Sequence, residues 1–305
     1  MNRYNFFAFL SGCIFCFFVF VSFAETIDST SNPLKIFNLP QIVKAADVNS
    51  KVFVFAGEQI PLTMDAKERL DRELSVNSYY HSAMIQYLKL SNRYFPVIEK
   101  ILLENGVPDD FKYLAVAESG LRHVTSSANA KGFWQFRKLA AKEMNLEVND
   151  EVDERYHIER STRAACHYLL QLKRRFGTWV DAAAAYNVGP TNYRNDLRDQ
   201  KENTYYDMNL PEETMRYIFR LVAIKEIMSQ PDRFGFYIDQ MERYPPLDNY
   251  REVLVDQSIE NWGDFAHENG VTYRQLKIYN PWLRDNHLTV IKNKYQIKIP
   301  NDVGK

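Results

Sequence analysis

The stretch PDDFKYLAVAESG, residues 108–120, has the features of one complete helix. Pro108 suits a first turn, the two aspartates after it suit the positive end of the helix dipole, and Gly120 suits the end. Glu118 follows Phe111 at i+7, so it lies on the same helical face as the apolar residues. The sequence therefore predicts a helix that carries a carboxyl group on its apolar face.

A carboxyl group in that position has a raised pKa if it is buried. Burial disfavours the charged form, and the negative end of the helix dipole disfavours it further, so both effects move the pKa of Glu118 toward that of a useful general acid. The spacing alone leaves a second interpretation open. Glu118 is then paired with a core Arg or Lys, or it is exposed by a frayed last turn.

Cleavage of a glycosidic bond ordinarily uses a second carboxylate at a defined separation from the acid. Six acidic residues follow downstream in one charge run: Glu143, Glu147, Asp150, Glu151, Asp153 and Glu154. Nothing in the sequence distinguishes one of them from the others. The residues therefore indicate one well-placed acid without an obvious partner.

Three further helices are predicted before residue 231, and no strand pattern of comparable length occurs there. They cover residues 161–176, residues 178 to about 186, and residues 211–230. Thr178 and Asp181 have the spacing of a capping box at the start of the second. On the amino-terminal side, residues 65–103 carry apolar side chains at helical spacing, with Pro96 expected near a helix start. This region is predicted to be mainly α-helical.

After residue 245 the pattern changes to a small module with the order βααβ. Its strands are predicted at 251–255 and 295–299, and its helices at 259–268 and 273–279. The predicted organisation is a signal peptide at 1–24, a linker and helical extension at 25–94, a helical domain at 95–230 and the βααβ module at 245–305.

The first 24 residues have the order of a secretory signal peptide. Arg3 precedes an apolar run over 6–23, and cleavage is expected after Ala24. A retained membrane anchor and a lipid-modified Cys13 are the alternatives. We therefore expect an exported protein of the periplasm, with membrane association through a lipid anchor as the alternative.

Charge and cysteine content exclude several classes of function. The formal net charge is −1, from 38 basic and 39 acidic residues, and no basic tract is available to neutralise nucleic-acid phosphates. The mature chain keeps only Cys166, so no intramolecular disulfide is expected. The six histidines show no metal-ligand spacing. We expect a monomer without metal or cofactor.

Five motifs occur in a fixed order: Glu118-Ser119; Ser126 with Ala128 and Ala130; Gly132 to Phe136; Ala184 to Pro190; and Glu213-Thr214 with Tyr217. This set resembles that of the family 1 lytic transglycosylases, most closely their membrane-bound type D group, over residues 95–230. The chain departs from the family at residues 137–139, where Arg-Lys-Leu replaces an apolar residue, proline and Ser or Thr.

The resemblance implies a lysozyme-like helical fold that acts on peptidoglycan glycan strands. Glu118 would protonate the oxygen between N-acetylmuramic acid and N-acetylglucosamine, then take the proton of the muramic acid 6-hydroxyl. The product would be a 1,6-anhydro sugar, which explains the missing second carboxylate. A hydrolytic muramidase and a non-catalytic peptidoglycan-binding protein are the alternatives.

The resemblance also implies roles for seven residues around the substrate: Ser119, Ser126, Phe133, Gln135, Tyr186, Asn187 and Tyr217. Ser119 would support the helix end, and the two tyrosines would position Glu118. Ser126, Gln135 and Asn187 would hydrogen-bond the sugar. Phe133 would form the cleft wall or the core, and Trp134 is expected in the core.

Residues 250–301 resemble a lysin-motif (LysM) module, with Gly270-Val271, Asn280-Pro281 and Ile297 to Pro300 in the expected order. The family's usual glycine and aspartate are replaced around Asp256 and Gln257. The resemblance implies binding of glycan that contains N-acetylglucosamine. A purely structural packing role is the alternative.

Overall fold

Helices dominate residues 45–49 and 51–301, the part of the chain that the computed structural model describes. The helices are α1 (Met64–Tyr79), α2 (His81–Glu104), α3 (Lys112–Ser119), α4 (Lys138–Glu143), α5 (Ile158–Phe176), α6 (Trp179–Val188), α7 (Pro190–Gln200), α8 (Glu212–Ser229), α9 (Trp262–Glu268) and α10 (Tyr273–Tyr279). The strands are β1 (Val54–Phe55), β2 (Glu58–Gln59), β3 (Tyr250–Val255) and β4 (Tyr295–Pro300). The predicted mainly α-helical fold is confirmed.

Helix α3 ends where the sequence predicts. A 3-10 turn over Asp109–Phe111 leads into it, and Gly120 caps it with a left-handed φ of 61°. A Cβ atom at this position would lie 2.6 Å from the ring of Tyr87, so close packing and backbone conformation both require glycine. Glu118 therefore lies in the last turn of a short helix with a sharply defined end.

The predicted start of α6 at Thr178 is confirmed, but only the Thr178 half of the predicted capping box is present. Gly177 ends α5 at a φ of 92°, and the Thr178 hydroxyl accepts a hydrogen bond of 2.9 Å from the backbone N–H of Asp181. Helix α7, which the sequence analysis did not predict, begins at Pro190 directly after α6. Proline is compatible with a first turn because the backbone nitrogens there form no intrahelical hydrogen bond, so the missing N–H costs nothing.

The prediction for Pro96 was wrong, because this residue lies inside α2 rather than near a helix start. The break in the amino-terminal helical region falls instead at Tyr80, between α1 and α2. Helix α2 runs through the predicted division between residues 94 and 95. The domain limits themselves stay a prediction.

A β-hairpin formed by β1 and β2, absent from the sequence analysis, fastens the amino-terminal region to the helical domain. The Glu58 carboxylate accepts hydrogen bonds from the backbone N–H groups of Trp179 (2.7 Å) and Val180 (2.9 Å). It thereby caps the first turn of α6, where unpaired N–H groups favour an anion. One buried apolar cluster continues from this hairpin to α8.

The predicted βααβ module is confirmed at the carboxyl end. Strands β3 and β4 pair antiparallel, with Tyr250 opposite Pro300 and Val255 opposite Tyr295. The buried Asn280 joins the end of α10 to β4: its Nδ2 donates to the carbonyl of Lys298 (2.7 Å), and its Oδ1 accepts from the same residue's N–H (2.9 Å). The module has its own apolar cluster.

This module is docked on residues 147–159 of the helical domain. The apolar cluster of the module includes Val152 and Tyr156 from that segment. The backbone N–H of Asp153 donates to the carbonyl of Trp282 (2.9 Å), and the N–H of Arg284 donates to the carbonyl of Glu151 (2.8 Å). Shared core and backbone hydrogen bonds therefore fix the orientation of the module.

The predicted signal peptide, its cleavage site and Cys13 lie outside the described residues. Among residues 45–49 and 51–301, no helix combines the length and the apolar character needed to cross a bilayer.

Candidate active site

Glu118 contacts helix α8 through Tyr217, a residue 99 positions later in the chain. Its Oε1 accepts a hydrogen bond of 2.5 Å from the hydroxyl of Tyr217 on α8. Tyr217 is 2% exposed, whereas Glu118 keeps a partly exposed surface. The buried hydroxyl of Tyr217 thus holds the carboxyl group in place, and the exposed part of Glu118 remains accessible to a ligand.

The surroundings of Glu118 raise its pKa to about 7. Burial is the largest cause, and the negative charge of Glu213 adds to it, whereas the Tyr217 hydrogen bond and the charge of Arg220 act in the opposite direction. Within the described part of the chain, no Lys, Arg or His forms an ion pair with Glu118. The alternative in which Glu118 forms a salt bridge with a core Arg or Lys is therefore wrong.

Tyr186 lies near the end of α6. Its hydroxyl donates a hydrogen bond of 2.5 Å to the carbonyl of Trp134. Burial raises the pKa of Tyr186 well above its ordinary value, and the charge of Glu118 raises it further. The structure thus brings Tyr186, Tyr217 and Glu118 into one electrostatically coupled group.

Asn187 joins the end of α6 to the start of α8. Its Oδ1 accepts a hydrogen bond of 2.8 Å from the hydroxyl of Thr214. The side chain is only partly buried. This bond fixes the orientation of the carboxamide at the position where the resemblance implies a sugar contact.

Ser126 lies in a tight turn closed by pairing of Thr125 with Lys131. Its Oγ accepts from the backbone N–H of Ala130 (3.1 Å), and its own N–H donates to the carbonyl of that residue (2.9 Å). The turn therefore holds a partly exposed hydroxyl in one place.

Gln135 stands at the end of the following loop in a left-handed conformation with φ of 48°. Its Nε2 donates to the carbonyl of Gly132 (2.7 Å), which orients the amide. A Cβ at Gly132 would lie 1.9 Å from the carbonyl oxygen of Arg155, so only glycine allows this backbone approach. The strained, tightly packed loop is typical of a functional site.

Two of the residues predicted around the substrate, Phe133 and Ser119, are buried. Phe133 is fully buried, with its ring 4.8 Å from that of Tyr94 and 4.7 Å from that of His123, so it forms core rather than cleft surface. Ser119 is 5% exposed, and its hydroxyl donates to the carbonyl of Ala115 (2.9 Å). Its place agrees with support of the helix end and leaves no surface for a sugar.

Trp134 is buried as predicted. Its Nε1–H donates a hydrogen bond of 2.9 Å to the hydroxyl of Thr162, which satisfies the one polar atom of the ring. The burial of Trp134 also fixes the carbonyl that binds Tyr186.

Four of the six downstream acids have structural partners. Glu147 accepts from the Tyr295 hydroxyl (3.1 Å), and Glu151 accepts from the backbone N–H of Thr289 (2.5 Å), so both hold the carboxyl-terminal module. Asp153 pairs with Arg155 at 2.7 Å. Glu154 pairs in the same way with Arg160, at 2.8 Å. Glu147 and Glu151 therefore stabilise docking of the carboxyl-terminal module, and Asp153 and Glu154 form structural ion pairs.

Glu213 is the acidic residue that the search for a second carboxylate missed. It lies in the first turn of α8, four positions before Tyr217, and its charge is the one that raises the pKa of Glu118. The i, i+4 spacing to the motif tyrosine was the available signal, because such residues share a helix face. Its side chain is exposed.

No group of three or more His, Cys, Asp and Glu side chains in the described ranges is arranged to hold a metal ion. The predicted absence of metal and cofactor stays a prediction.

Two family models match separate parts of the chain. Residues 96–209 match the transglycosylase SLT domain, and residues 251–303 match the soluble lytic transglycosylase C-terminal LysM-like domain. The predicted resemblance and the lysozyme-like helical fold class are thereby confirmed. The first match ends before α8, which supplies Tyr217.

Curated relatives match the chain at 24% to 37% identity. The membrane-bound lytic murein transglycosylase D of Escherichia coli strain K12 is 24% identical over 250 residues, which are 78% of this chain and 53% of the relative. The protein of the same name from strain O6:H1 gives the same values. A putative tributyltin chloride resistance protein of Alteromonas sp. strain M-1 is 37% identical over 65 residues, 21% of this chain and 31% of the relative. The chain spans about half the length of the first two relatives.

Proposed function

We propose that this chain, which carries a transglycosylase SLT domain and a carboxyl-terminal LysM-like domain, is a peptidoglycan lytic transglycosylase. Its substrate is the β-1,4 bond between N-acetylmuramic acid and N-acetylglucosamine. The observation that carries the proposal is a single partly exposed carboxyl group with a pKa near 7, held by a buried tyrosine. A group with this pKa is protonated in a large fraction of molecules at neutral pH and can act as a general acid.

In the first step, protonated Glu118 gives its proton to the oxygen of the scissile bond. The bond between this oxygen and C1 of muramic acid breaks, and positive charge develops at C1. The Tyr217 hydroxyl, 2.5 Å from Oε1, stabilises the carboxylate that remains. The acetamido group of the sugar stabilises the cationic centre.

In the second step, the Glu118 carboxylate takes the proton of the muramic acid 6-hydroxyl. The oxygen of this hydroxyl forms the new bond to C1, so the product is a 1,6-anhydro sugar and no water is consumed. Glu118 returns to its protonated state. One carboxyl group serves both steps, which agrees with the structural commitment of Glu147, Glu151 and Asp153.

Ser126, Gln135 and Asn187 are proposed to hydrogen-bond the sugars, because each is a partly exposed polar side chain held in a fixed orientation. Tyr186 and Tyr217 are proposed to position Glu118. The protein is proposed to act as an exported monomer in the periplasm. Its attachment to the membrane through Cys13 is the alternative.

A hydrolytic muramidase is the alternative activity. The two reactions differ because hydrolysis adds the oxygen of water to the product and transglycosylation does not. Purified cell walls are digested in ¹⁸O-labelled water, and the soluble fragments are weighed by mass spectrometry. Transglycosylation gives anhydro ends without label, whereas hydrolysis gives reducing ends that carry one ¹⁸O. Labelled reducing ends as the main product would overturn the proposed reaction.

Two variants complete the test. Glu118→Gln is expected to release almost no fragments while binding walls normally, because its amide cannot donate the required proton. Glu68→Gln changes an exposed glutamate on α1 and serves as the matched control. A wild-type chain that binds walls but releases no fragments would support the non-catalytic alternative.

A further inference from the structure

The carboxyl-terminal module brings an arginine to the turn that carries Ser126. The guanidinium of Arg284 lies 4.4 Å from the ring centroid of Tyr156, a residue of the helical domain that is 4% exposed. The hydroxyl of Tyr156 lies 3.2 Å from Oγ1 of Thr125, the residue before Ser126. One tyrosine therefore supports both the Ser126 turn and Arg284.

The position of Arg284 is fixed by backbone and side-chain bonds. Its N–H donates to the carbonyl of Glu151 (2.8 Å), and its Nη1 donates to the carbonyl of Pro281 (3.0 Å). The guanidinium is nevertheless exposed, and none of its hydrogen bonds in the described residues goes to a carboxylate. The guanidinium of Arg284 is therefore held in position and still has N–H donors available for a ligand.

A second cation lies on the same tyrosine. Lys131, which closes the Ser126 turn, has its Nζ 6.0 Å from the Tyr156 centroid. The acid near it, Asp153, is 3.9 Å away and already bound to Arg155 at 2.7 Å. Much of the positive charge of Lys131 is therefore uncompensated.

The third neighbour is a neutral imidazole. The ring of His123 lies 5.6 Å from that of Tyr156. The residue keeps an exposed surface, but desolvation of its ring, with a smaller effect from the charge of Arg284, lowers the pKa of His123 to about 4. This group adds neither positive nor negative charge at neutral pH. The charged groups next to the Tyr156 ring are therefore the cations of Arg284 and Lys131.

We propose that Arg284 and Lys131 form a subsite for a carboxylate of the glycan strand, next to the Ser126 turn. The proposal rests on the proposed function, because peptidoglycan strands carry carboxylates on the lactyl groups of muramic acid or on their stem peptides. Arginine binds carboxylates through two parallel hydrogen bonds, so it suits such a group better than a simple point charge. The LysM-like module then contributes directly to substrate binding in the helical domain.

The competing interpretation is that Arg284 only covers Tyr156 and stabilises docking of the module. Arg284→Met separates the two, since it keeps an apolar stem over the ring and removes the charge. Arg284→Ala and Lys131→Ala are the companion variants. Arg274→Ala, an exposed arginine on α10 of the same module, is the matched control.

The experiment measures kcat and KM on peptide-bearing strands and on peptide-free strands, whose lactyl carboxylates are free. Arg284→Met is expected to raise KM about 10-fold with kcat changed less than 2-fold, because the contact binds ground state and transition state alike. Arg274→Ala is expected to match the wild type. Binding of a neutral N-acetylglucosamine oligomer to Glu118→Gln, with and without Arg284→Met, is expected to be equal.

The substrates identify the source of the carboxylate. A loss confined to peptide-bearing strands assigns the stem peptides, and a loss confined to peptide-free strands assigns the lactyl groups, whose carboxylates are free only there. A loss on both means that the subsite accepts either carboxylate. Unchanged KM on both, or equally weakened binding of the neutral oligomer, would overturn the proposal. If the chain proves not to cleave strands at all, the same comparison by binding to Glu118→Gln still decides on the subsite.

Discussion

Two glutamates, the fully buried Glu73 and the partly exposed Glu118, contact the same helix and have opposite surroundings. Glu73 of α1 is 0% exposed, and its Oε1 lies 2.6 Å from Nε of Arg216 and 3.1 Å from Nη1 of Arg72. Its Oε2 lies 3.6 Å from Nε of Arg220, which is an ion pair without hydrogen-bond geometry. Three guanidinium groups thus compensate one carboxylate.

Glu118 instead meets a neutral hydroxyl. Its partner Tyr217 stands on α8 directly after Arg216, so adjacent residues of one helix serve the two carboxyl groups. The comparison shows that burial alone does not create a general acid. A buried carboxyl group becomes a proton donor only where no cation neutralises its ionised form.

The largest expected difference between the two glutamates is in catalysis. Glu118→Gln should reduce release of soluble fragments from purified walls by about 10²- to 10⁴-fold, the usual contribution of a general acid. Glu73→Gln, assayed below its own unfolding temperature, should retain activity within about 10-fold because Glu73 has no exposed surface for substrate. Equal losses in two folded variants would contradict the assignment.

The next expected effect is on stability, and it separates the glutamates in the other direction. Glu73→Gln should lower the free energy of unfolding by about 3 kcal/mol, because it leaves partly buried arginines without their counter-ion. Urea unfolding at pH 7 measures the change. Glu68→Gln on the exposed face of α1 should stay within about 0.5 kcal/mol of the wild type. A Glu73 variant as stable as this control would be inconsistent with a structural ion cluster.

A smaller effect concerns the stability of Glu118→Gln as a function of pH. The folded-state pKa of Glu118, about 7, is above that of an unfolded glutamate, so ionisation opposes folding. The cost is absent below about pH 4, grows as the pH rises to about 7 and is complete above it. The full difference in pKa corresponds to about 3 kcal/mol, and solvent screening reduces it because Glu118 is partly exposed. Glu118→Gln should therefore be about 2 kcal/mol more stable than the wild type at pH 8 and nearly equal to it at pH 4.

Thermal or urea unfolding at the two pH values tests this sign. A variant that is less stable than the wild type at pH 8 would mean that Glu118 is a compensated charge like Glu73. The measurement needs no substrate, so it is independent of the proposed reaction.

The smallest expected effects are shifts of the alkaline limb of the pH profile. Activity should fall as the pH rises through the pKa of Glu118, because the donor loses its proton. Glu213→Gln removes a negative charge and should move the limb to lower pH, whereas Tyr217→Phe removes a bond that favours the carboxylate and should move it to higher pH. Each shift should be below about one pH unit. Shifts in the same direction would contradict the described surroundings of Glu118.

Local sequence signals predicted the elements whose ends are set by their own residues. Pro108 and Gly120 bound the segment that contains α3, and Thr178 caps α6, because capping depends on residues within a few positions. The alternating pattern of β4 and the spacing of α10 predicted the terminal module for the same reason. The ordered motifs around Glu118 and Asn187 identified most of the candidate site.

Features that depend on distant partners were not predictable in this way. Pro96 stays inside α2 because packing over a long helix outweighs one missing hydrogen bond. The β1–β2 hairpin is stable because Glu58 reaches the amino end of α6, and Phe133 is core because Tyr94 and His123 cover it. None of these contacts between distant residues produces a periodic pattern in the sequence.

The amino-acid sequence by itself determined that a carboxyl group would share the apolar face of a short helix, because helical spacing and caps are local. Only the tertiary structure decided that this group would become an acid, since its pKa depends on which side chains of α8 face it. At Glu73 the same helix supplies Arg216, and at Glu118 it supplies Tyr217. The difference between a structural ion pair and a proton donor is therefore one position along a helix that lies far away in the chain.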